Sequence, residues 1–257
     1  VTLVRDGTEI QKAKAANALR ILALMGHNRA AIANAGGIPP LVTLIRDGTE
    51  IGPHSNAAKA LRKLTGIDAV DAIRDVIPPL VALLRDGTDM QKESAAKALG
   101  NLAGGKIVFI DYAIMDAGGI LPLVTLVRDG TDDQKENAAG ALSNLAATWD
   151  PISWDIVAAG GVLPLVTLVR DGTENQKRNA ASALYRLARK APNREAIANA
   201  GSIPPLVALV RDGTEEQRDN ALMALKFLSV NDSELAQILE PAATRFAQTD
   251  AVNDAIV

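Results

Sequence analysis

The tetrapeptide Arg-Asp-Gly-Thr occurs six times in 257 residues, beginning at Arg5, Arg46, Arg85, Arg128, Arg170 and Arg211. Each copy stands between an apolar run and an Ala/Leu-rich run. Its threonines recur at intervals of 41, 39, 43, 42 and 41 residues, so nearly the whole chain is written in one period. A helical period of this length predicts a solenoid, in which each unit packs on its neighbours and none closes a core alone. A β-propeller blade has a similar length, but it needs four strand patterns per unit, and these units contain none.

The unit over 149–190 shows the parts. "SWDIVAAGG" predicts a short helix closed by Gly160-Gly161, where a left-handed residue suits glycine. "VLPLVTLVRDG" predicts a second helix with Pro164 in its first turn, where a missing N–H is harmless. Arg170 places a cation at that helix's C-terminus and Gly172 is its stop. "TENQKRNAASALYRLA" opens a third helix, with Thr173 as N-cap and Gln176 completing a Thr-x-x-Gln capping box. The same box recurs as Thr8/Gln11, Thr88/Gln91, Thr131/Gln134 and Thr214/Gln217. The repeated tetrapeptide therefore reads as a helix–turn–helix joint and not as a chemical site.

Two units depart from the pattern. After Thr49 the chain has Gly52-Pro53 where Gln-Lys stand elsewhere, which predicts a third helix starting near Pro53. The unit over 67–105 lacks the Gly-Gly pair before Ile77. Both irregularities are expected to change the local curvature of the stack. In the regular third helices, apolar residues such as Ala138, Ala141, Leu142 and Leu145 form a stripe for burial. Glu136, Gly140 and Asn144 share the opposite face.

Aromatics are only 3% of the chain against 48% hydrophobic residues, so Leu, Val, Ile and Ala must fill the interior. A net charge of −3 argues against bulk attraction to nucleic acid or an anionic membrane. There is no cysteine for a disulfide or a thiolate metal site. No segment reaches the ~18–20 apolar residues of a membrane span, and no signal peptide opens the chain. Val1–Lys12 repeats the middle of later units, as in Val166–Lys177, which reads as the interior of a longer array.

A unit written "AGGIPPLVTLIRDGT…NAAKALRKL" resembles the armadillo repeat family over essentially the whole chain. The wording is similar to armadillo arrays of U-box ubiquitin ligases and vacuole-associated armadillo proteins. The resemblance implies an all-α, right-handed superhelical solenoid: a partial repeat over 1–26, repeats at 27–66, 67–105, 106–148, 149–190 and 191–230, and a degenerate cap at 231–257. It also implies a concave groove lined by the third helices, where a ladder of Asn fixes the backbone of an extended peptide.

Carried over by position, that ladder falls at Ile21, Lys63, Asn101, Asn144, Arg186 and Phe227, and only Asn101 and Asn144 match the family's residue. One turn earlier, where peptide-transport members place tryptophans, stand Asn17, Lys59, Lys97, Gly140, Ser182 and Met223. That departure speaks against carriage of basic nuclear-localisation peptides. The two columns contain Lys59, Lys63, Lys97 and Arg186 and no acid. Glu93, Glu136 and Asp219 oppose Arg178 in the next column out. The charge favours an acidic, phosphorylated or C-terminal segment, against the plainer reading of solvated helix faces.

Other candidates carry less. His27 and His54, the two histidines, lack partners at metal-ligand spacing. The glycine pairs are helix stops, and no P-loop or dinucleotide fingerprint is present. The carboxylates crowd into helix first turns, as at Asp132-Asp133 and Glu215-Glu216, where the dipole favours them. Asn231–Ser233 fits a glycosylation acceptor. Trp149, Trp154, Phe109 and Tyr112 cluster in two consecutive connections, either filling a gap or forming an edge patch. The expected protein is non-enzymatic, without cofactor or metal, a scaffold in cytoplasm or nucleus binding a protein or peptide. Substrate recognition for a ubiquitin ligase and nuclear transport are the alternatives. Self-association is expected through the uncapped N-terminal end.

Overall fold

A computed structural model describes residues 1–47, 51–64, 70–104, 108–148 and 150–229, and its regular structure there is helical throughout. The degenerate cap, the Asn231–Ser233 acceptor and Trp149 lie outside the described residues, and so does the His54 side chain.

Two compact units divide the chain. The first, Val1–Ala159, contains α1 (Thr2–Asp6), α2 (Glu9–Leu22), α3 (Gly26–Asn34), α4 (Ile38–Asp47), α5 (Ile51–Leu64) and α6 (Val70–Asp86). It continues with α7 (Asp89–Leu102), α8 (Val108–Asp116), α9 (Ile120–Asp129), α10 (Asp132–Ala146) and α11 (Asp150–Ala158). The second, Gly160–Val257, contains α12 (Val162–Asp171), α13 (Glu174–Ala188), a 3-10 turn at Ala191–Asn193, α14 (Arg194–Asn199), α15 (Ile203–Asp212) and α16 (Glu215–Leu228). Third helices stack on one another: α2, α5, α7 and α10 in sequence in the first unit, α13 on α16 in the second.

The joints form as the sequence predicts. At Thr8, Thr88, Thr131 and Thr173 the hydroxyl accepts from the backbone N–H of the glutamine three residues on, at 3.3–3.4 Å, while the glutamine Oε1 accepts from the threonine N–H at 2.9–3.1 Å. At Thr214 the bond to Gln217 Oε1 is 3.0 Å. The glutamine also has a second role. Gln134 Nε2 donates to the Asp89 carbonyl at 2.9 Å and to its carboxylate at 3.2 Å, so the cap of α10 is tied to the first turn of α7. Gln217 makes the same tie to Glu174, at 2.9 and 2.8 Å. Both amides are buried, and both satisfy donors and acceptors that burial would otherwise leave costly.

The two kinds of glycine do different work. Gly118, Gly160 and Gly201 take φ of 74°, 76° and 75°, the left-handed stop that their positions predict. The glycine of the joint is extended instead, with φ −75° and ψ 171° at Gly172. Its requirement is space: a Cβ there would lie 2.5 Å from the Leu168 carbonyl oxygen and 2.9 Å from Gln176 Cβ.

Irregular sequence gives irregular helices. Asp75-Val76 stands where Gly118-Gly119 stands in a later unit, and without that stop the first and second helices fuse into the 17-residue α6, which carries Pro78 and Pro79 inside it. The helix expected to start near Pro53 starts at Ile51. Proline as its third residue is tolerated because the first four helical N–H groups have no intrahelical acceptor.

The interior is Leu on Ala. Leu99, Leu102, Leu142 and Leu145 are fully buried, as are Ala138 and Ala141 of the predicted stripe. Small residues let the third helices approach closely: a Cβ on Gly100 would sit 3.2 Å from Ala141 Cα. A core filled this way needs few aromatic rings. Among the described residues no single helix is long and apolar enough to cross a membrane.

Candidate functional site

Burial of the Ala/Leu stripe turns the other face of each third helix outward. In the first unit, α5 presents Lys59, exposed, and Lys63, half-buried; α7 presents Glu93, Lys97 and Asn101; α10 presents Glu136, Gly140 and Asn144. Residues four apart lie on one helix face, and α5, α7 and α10 are packed neighbours. Seven of the ten sequence-predicted site residues thus belong to one polar face of the first unit.

Its electrostatics are mixed. Glu93 has its carboxyl pKa raised, first by burial, then by Asp133 and Glu136, with Lys97 opposing. The basic columns therefore border an acidic one, and Lys97 stands between them. Asn144 and Asn101 are less open than the sequence implies. Asn144 Nδ2 donates to the Gly100 carbonyl one repeat earlier at 2.9 Å. The Asn101 Nδ2 is covered and has no partner. A buried donor left in that state costs about 1–3 kcal/mol, so an incoming carbonyl would find a group to satisfy after a small shift of the amide. The Asn144 bond runs between repeats, and nothing in the local sequence announces it.

The second unit holds the other three predicted residues. Arg178 Nη1 lies 3.5 Å from Glu216 Oε2, an exposed pair between α13 and α16, of a kind that contributes about 0–1 kcal/mol. Arg186 is half-buried, and that burial, joined by Arg189, draws its pKa below the usual guanidinium value while Tyr185 opposes. Phe227 stacks on Tyr185, ring centroids 6.1 Å apart and planes at 26°. The Arg194 guanidinium lies 5.5 Å from the Phe227 ring centroid. Tyr185 and Arg194 were not singled out from sequence, although Arg194 sits in register with Arg29, seven residues before a left-handed glycine in both cases.

The remaining candidates separate. His27 is exposed in the first turn of α3. Among the described residues no group of three His, Asp or Glu could hold a metal ion. Phe109 is half-buried beneath the Arg74 guanidinium, 4.3 Å from its ring centroid, whereas Trp154 is 47% exposed and so does not fill a gap.

Stacked helical units joined at a fixed period define a helical-repeat solenoid, and comparison with known proteins identifies which. Residues 110–147 match the Armadillo/beta-catenin-like repeat. Residues 55–102 match the HEAT-like repeat, a stretch that includes the fused helix α6. Among solved structures, an engineered protein is 31% identical with a TM-score of 0.73, over 89% of this chain and 94% of that one. A designed armadillo repeat protein is 27% identical with a TM-score of 0.71, over 88% and 97%. A computationally designed armadillo repeat protein for modular peptide recognition is 27% identical with a TM-score of 0.66, over the same shares. A search of curated proteins returns no match. Residues 110–147 carry the armadillo repeat, and the fold of the chain is that of the designed armadillo repeat solenoids.

Proposed function

We propose that this protein is a non-enzymatic scaffold that holds an extended, acidic segment of a partner protein against its third helices. The observation that carries the reading is the set Lys59, Lys63 and Lys97, placed on adjacent helices whose apolar stripe is buried and whose outer face is polar. A similar fold designed for modular peptide recognition supports a peptide as the ligand class. Asn101 and Asn144 contribute amide oxygens and donors to the ligand backbone, and the lysines select its charge. Cytoplasm or nucleus is the setting, and substrate recognition for a ubiquitin ligase is compatible with the same surface.

The test is a titration of the full chain with a Glu-rich extended peptide. Affinity should fall as salt rises from about 50 to 150 mM, and Lys59→Glu/Lys63→Glu/Lys97→Glu should weaken it about tenfold or more. Salt-independent binding, or binding indifferent to the triple variant, would overturn the reading. Asn101→Ala/Asn144→Ala should lower affinity for any extended peptide regardless of its charge.

A further inference from the structure

In the first unit α7 and α10 lie parallel and in register. Gln134, in the first turn of α10, donates to Asp89 in the first turn of α7. Asn144, near the end of α10, donates to the Gly100 carbonyl near the end of α7. The same turns of the two helices therefore stand side by side. Glu93 and Glu136 share the second turn, each placed alike after its capping threonine, Thr88 or Thr131. Lys97 lies one turn further along α7, and Asn101 and Asn144 lie two turns further along their helices. The other third-helix neighbour of α7 is α5, with Lys59 and Lys63 in its C-terminal half. The face thus has an acidic edge toward the start of α7 and α10, and a second edge of lysine and amide.

The carboxylates of that edge act on one another between the helices. Burial raises the Glu93 pKa first, and Asp133 adds more than Lys97 takes away, with Glu136 contributing in the same direction as Asp133. Acid outweighs base at this edge even with Lys97 one turn off. Between the two edges runs a stripe with polar groups left over. Ser94, Lys97 and Asn101 stand three and four residues apart on one side of α7. Ser94 is 4% exposed and its Oγ has no hydrogen-bond partner, and neither has the covered Nδ2 of Asn101. Buried polar groups are ordinarily satisfied, and two unsatisfied ones on the stripe suit the backbone of a ligand lying over it.

An extended segment sends successive side chains to opposite sides. Laid across packed third helices, it turns one set of side chains to the lysine edge and the other to the acidic edge. Eight residues reach about 26 Å, enough to cross three helices spaced at about 8–10 Å. A uniformly acidic segment would bring every second carboxylate against Glu93 and Asp133. We propose that the segment captured by the first unit alternates in charge, with acidic side chains toward Lys59, Lys63 and Lys97 and a lysine or arginine toward Glu93 and Asp133. Glu93 then selects the order of the charges and not only their sum. Peptide capture by this same face is the reading on which the inference rests.

The experiment titrates the full chain with short peptides by fluorescence anisotropy. Two of them have one composition, half Glu and half Lys over about eight residues, a length too short to hold a helix in water. One alternates Glu-Lys and the other repeats Glu-Glu-Lys-Lys; a Glu-rich peptide is the third. The alternating order should bind about fivefold more tightly than the paired order. Glu93→Gln/Asp133→Asn removes the acidic edge with little change of shape. It should bring that ratio to about two or less and strengthen binding of the Glu-rich peptide. Glu93→Gln alone, which takes away a carboxylate that burial already disfavours, should shift both readings the same way and covers the case of a double variant that folds poorly. Equal affinity for the two orders, or a preference unchanged in both variants, overturns the alternating segment. Should the Glu-rich peptide still bind in those cases and respond to Lys59→Glu/Lys63→Glu/Lys97→Glu, the acidic-segment reading stands without it. Binding by none of the three peptides sinks both.

Discussion

Asp111 and Arg194 occupy the same place in their repeats, seven residues before the left-handed Gly118 and Gly201, and they solve one problem with opposite charges. A third helix ends with unsatisfied carbonyls that need donors. In the second unit Arg194 donates to the Ala188 carbonyl, as Arg29 does to Ala23 at 2.9 Å in the first. An ionised Asp111 has no donor to give. It accepts instead, from the Gly104 N–H at 3.1 Å, and Gly104 turns into the left-handed region at φ 70°. The second oxygen of Asp111 is buried without a partner. Burial pushes its pKa up to about 6, against the Gly104 hydrogen bond that pulls it down. The first unit therefore carries a buried acid where the second carries a presented cation.

The contrast extends to the seam between third helices. Gly100 and Tyr185 hold one column: in the first unit Gly100 meets Ala141 and offers its carbonyl to Asn144, while in the second Tyr185 meets Phe227. One seam is closed by backbone contact and the other by rings. The largest effect we expect follows from this difference. In Gly100→Val the first added carbon alone sits 3.2 Å from Ala141 Cα, against backbone that cannot swing aside, and the loss should be about 3 kcal/mol. Tyr185→Ala removes a half-buried ring and should lose less, about 1–2 kcal/mol. Chemical denaturation measures both. Equal losses would mean that the two seams are not built differently.

Asp111→Asn gives the next largest effect. Because the folded-state pKa lies above the unfolded value of 3.8, the native state binds more protons between roughly pH 4 and 6. Its stabilising contribution is complete below the lower value and disappears as pH rises through the upper one. Asparagine does not titrate there and can donate to the helix end. The variant should be more stable than wild type at pH 7, by at most about 3 kcal/mol, with the gap closing towards pH 4. A gap that is constant with pH would remove the buried-acid account. Arg194→Lys should show no such pH dependence.

What the two units share should respond alike. Gln134→Ala and Gln217→Ala each remove half a capping box and the tie to the preceding third helix. Each should lose about 1–2 kcal/mol, and a twofold difference between them would show that the tie matters in one unit only.

How much of this was legible in the sequence follows from how local each feature is. Thr173 and Gln176 are three residues apart, and the box between them is a matter of short-range geometry, as is the stop at Gly160. The second bond of Gln134 reaches Asp89 and that of Asn144 reaches Gly100, each more than forty residues back, so neither can be read from a single repeat. The joint glycine is readable as a stop but not as a steric need, because the carbonyl it avoids is placed only once the helix forms. The shared helix position of Asn101 and Asn144 in the first unit, and of Arg186 and Phe227 in the second, follows from register alone. The aromatic backing of Arg194 does not, since Tyr185, Phe227 and Arg194 come from three helices. The missing Gly-Gly before Ile77 was visible, and its consequence, the fused helix α6, is a direct result of losing a left-handed stop.

The smallest expected effect concerns the most conspicuous feature of the sequence. In the five joints whose side chains are described the arginine pairs with the aspartate beside it, as Arg128 does with Asp129 at 2.9 Å and Arg170 with Asp171 at 2.9 Å. All four side chains are more than half exposed, so solvent screens the attraction and the two partners are already neighbours in the unfolded chain. Arg128→Ala and Arg170→Ala should each change stability by no more than about 0.5 kcal/mol, equally in the two units and with little dependence on salt. The threonine and glycine of the same tetrapeptide hold the turn, by a hydrogen bond and by the absence of a Cβ. A loss well above that limit in either arginine variant would move the arginine from the surface of the joint into its mechanism.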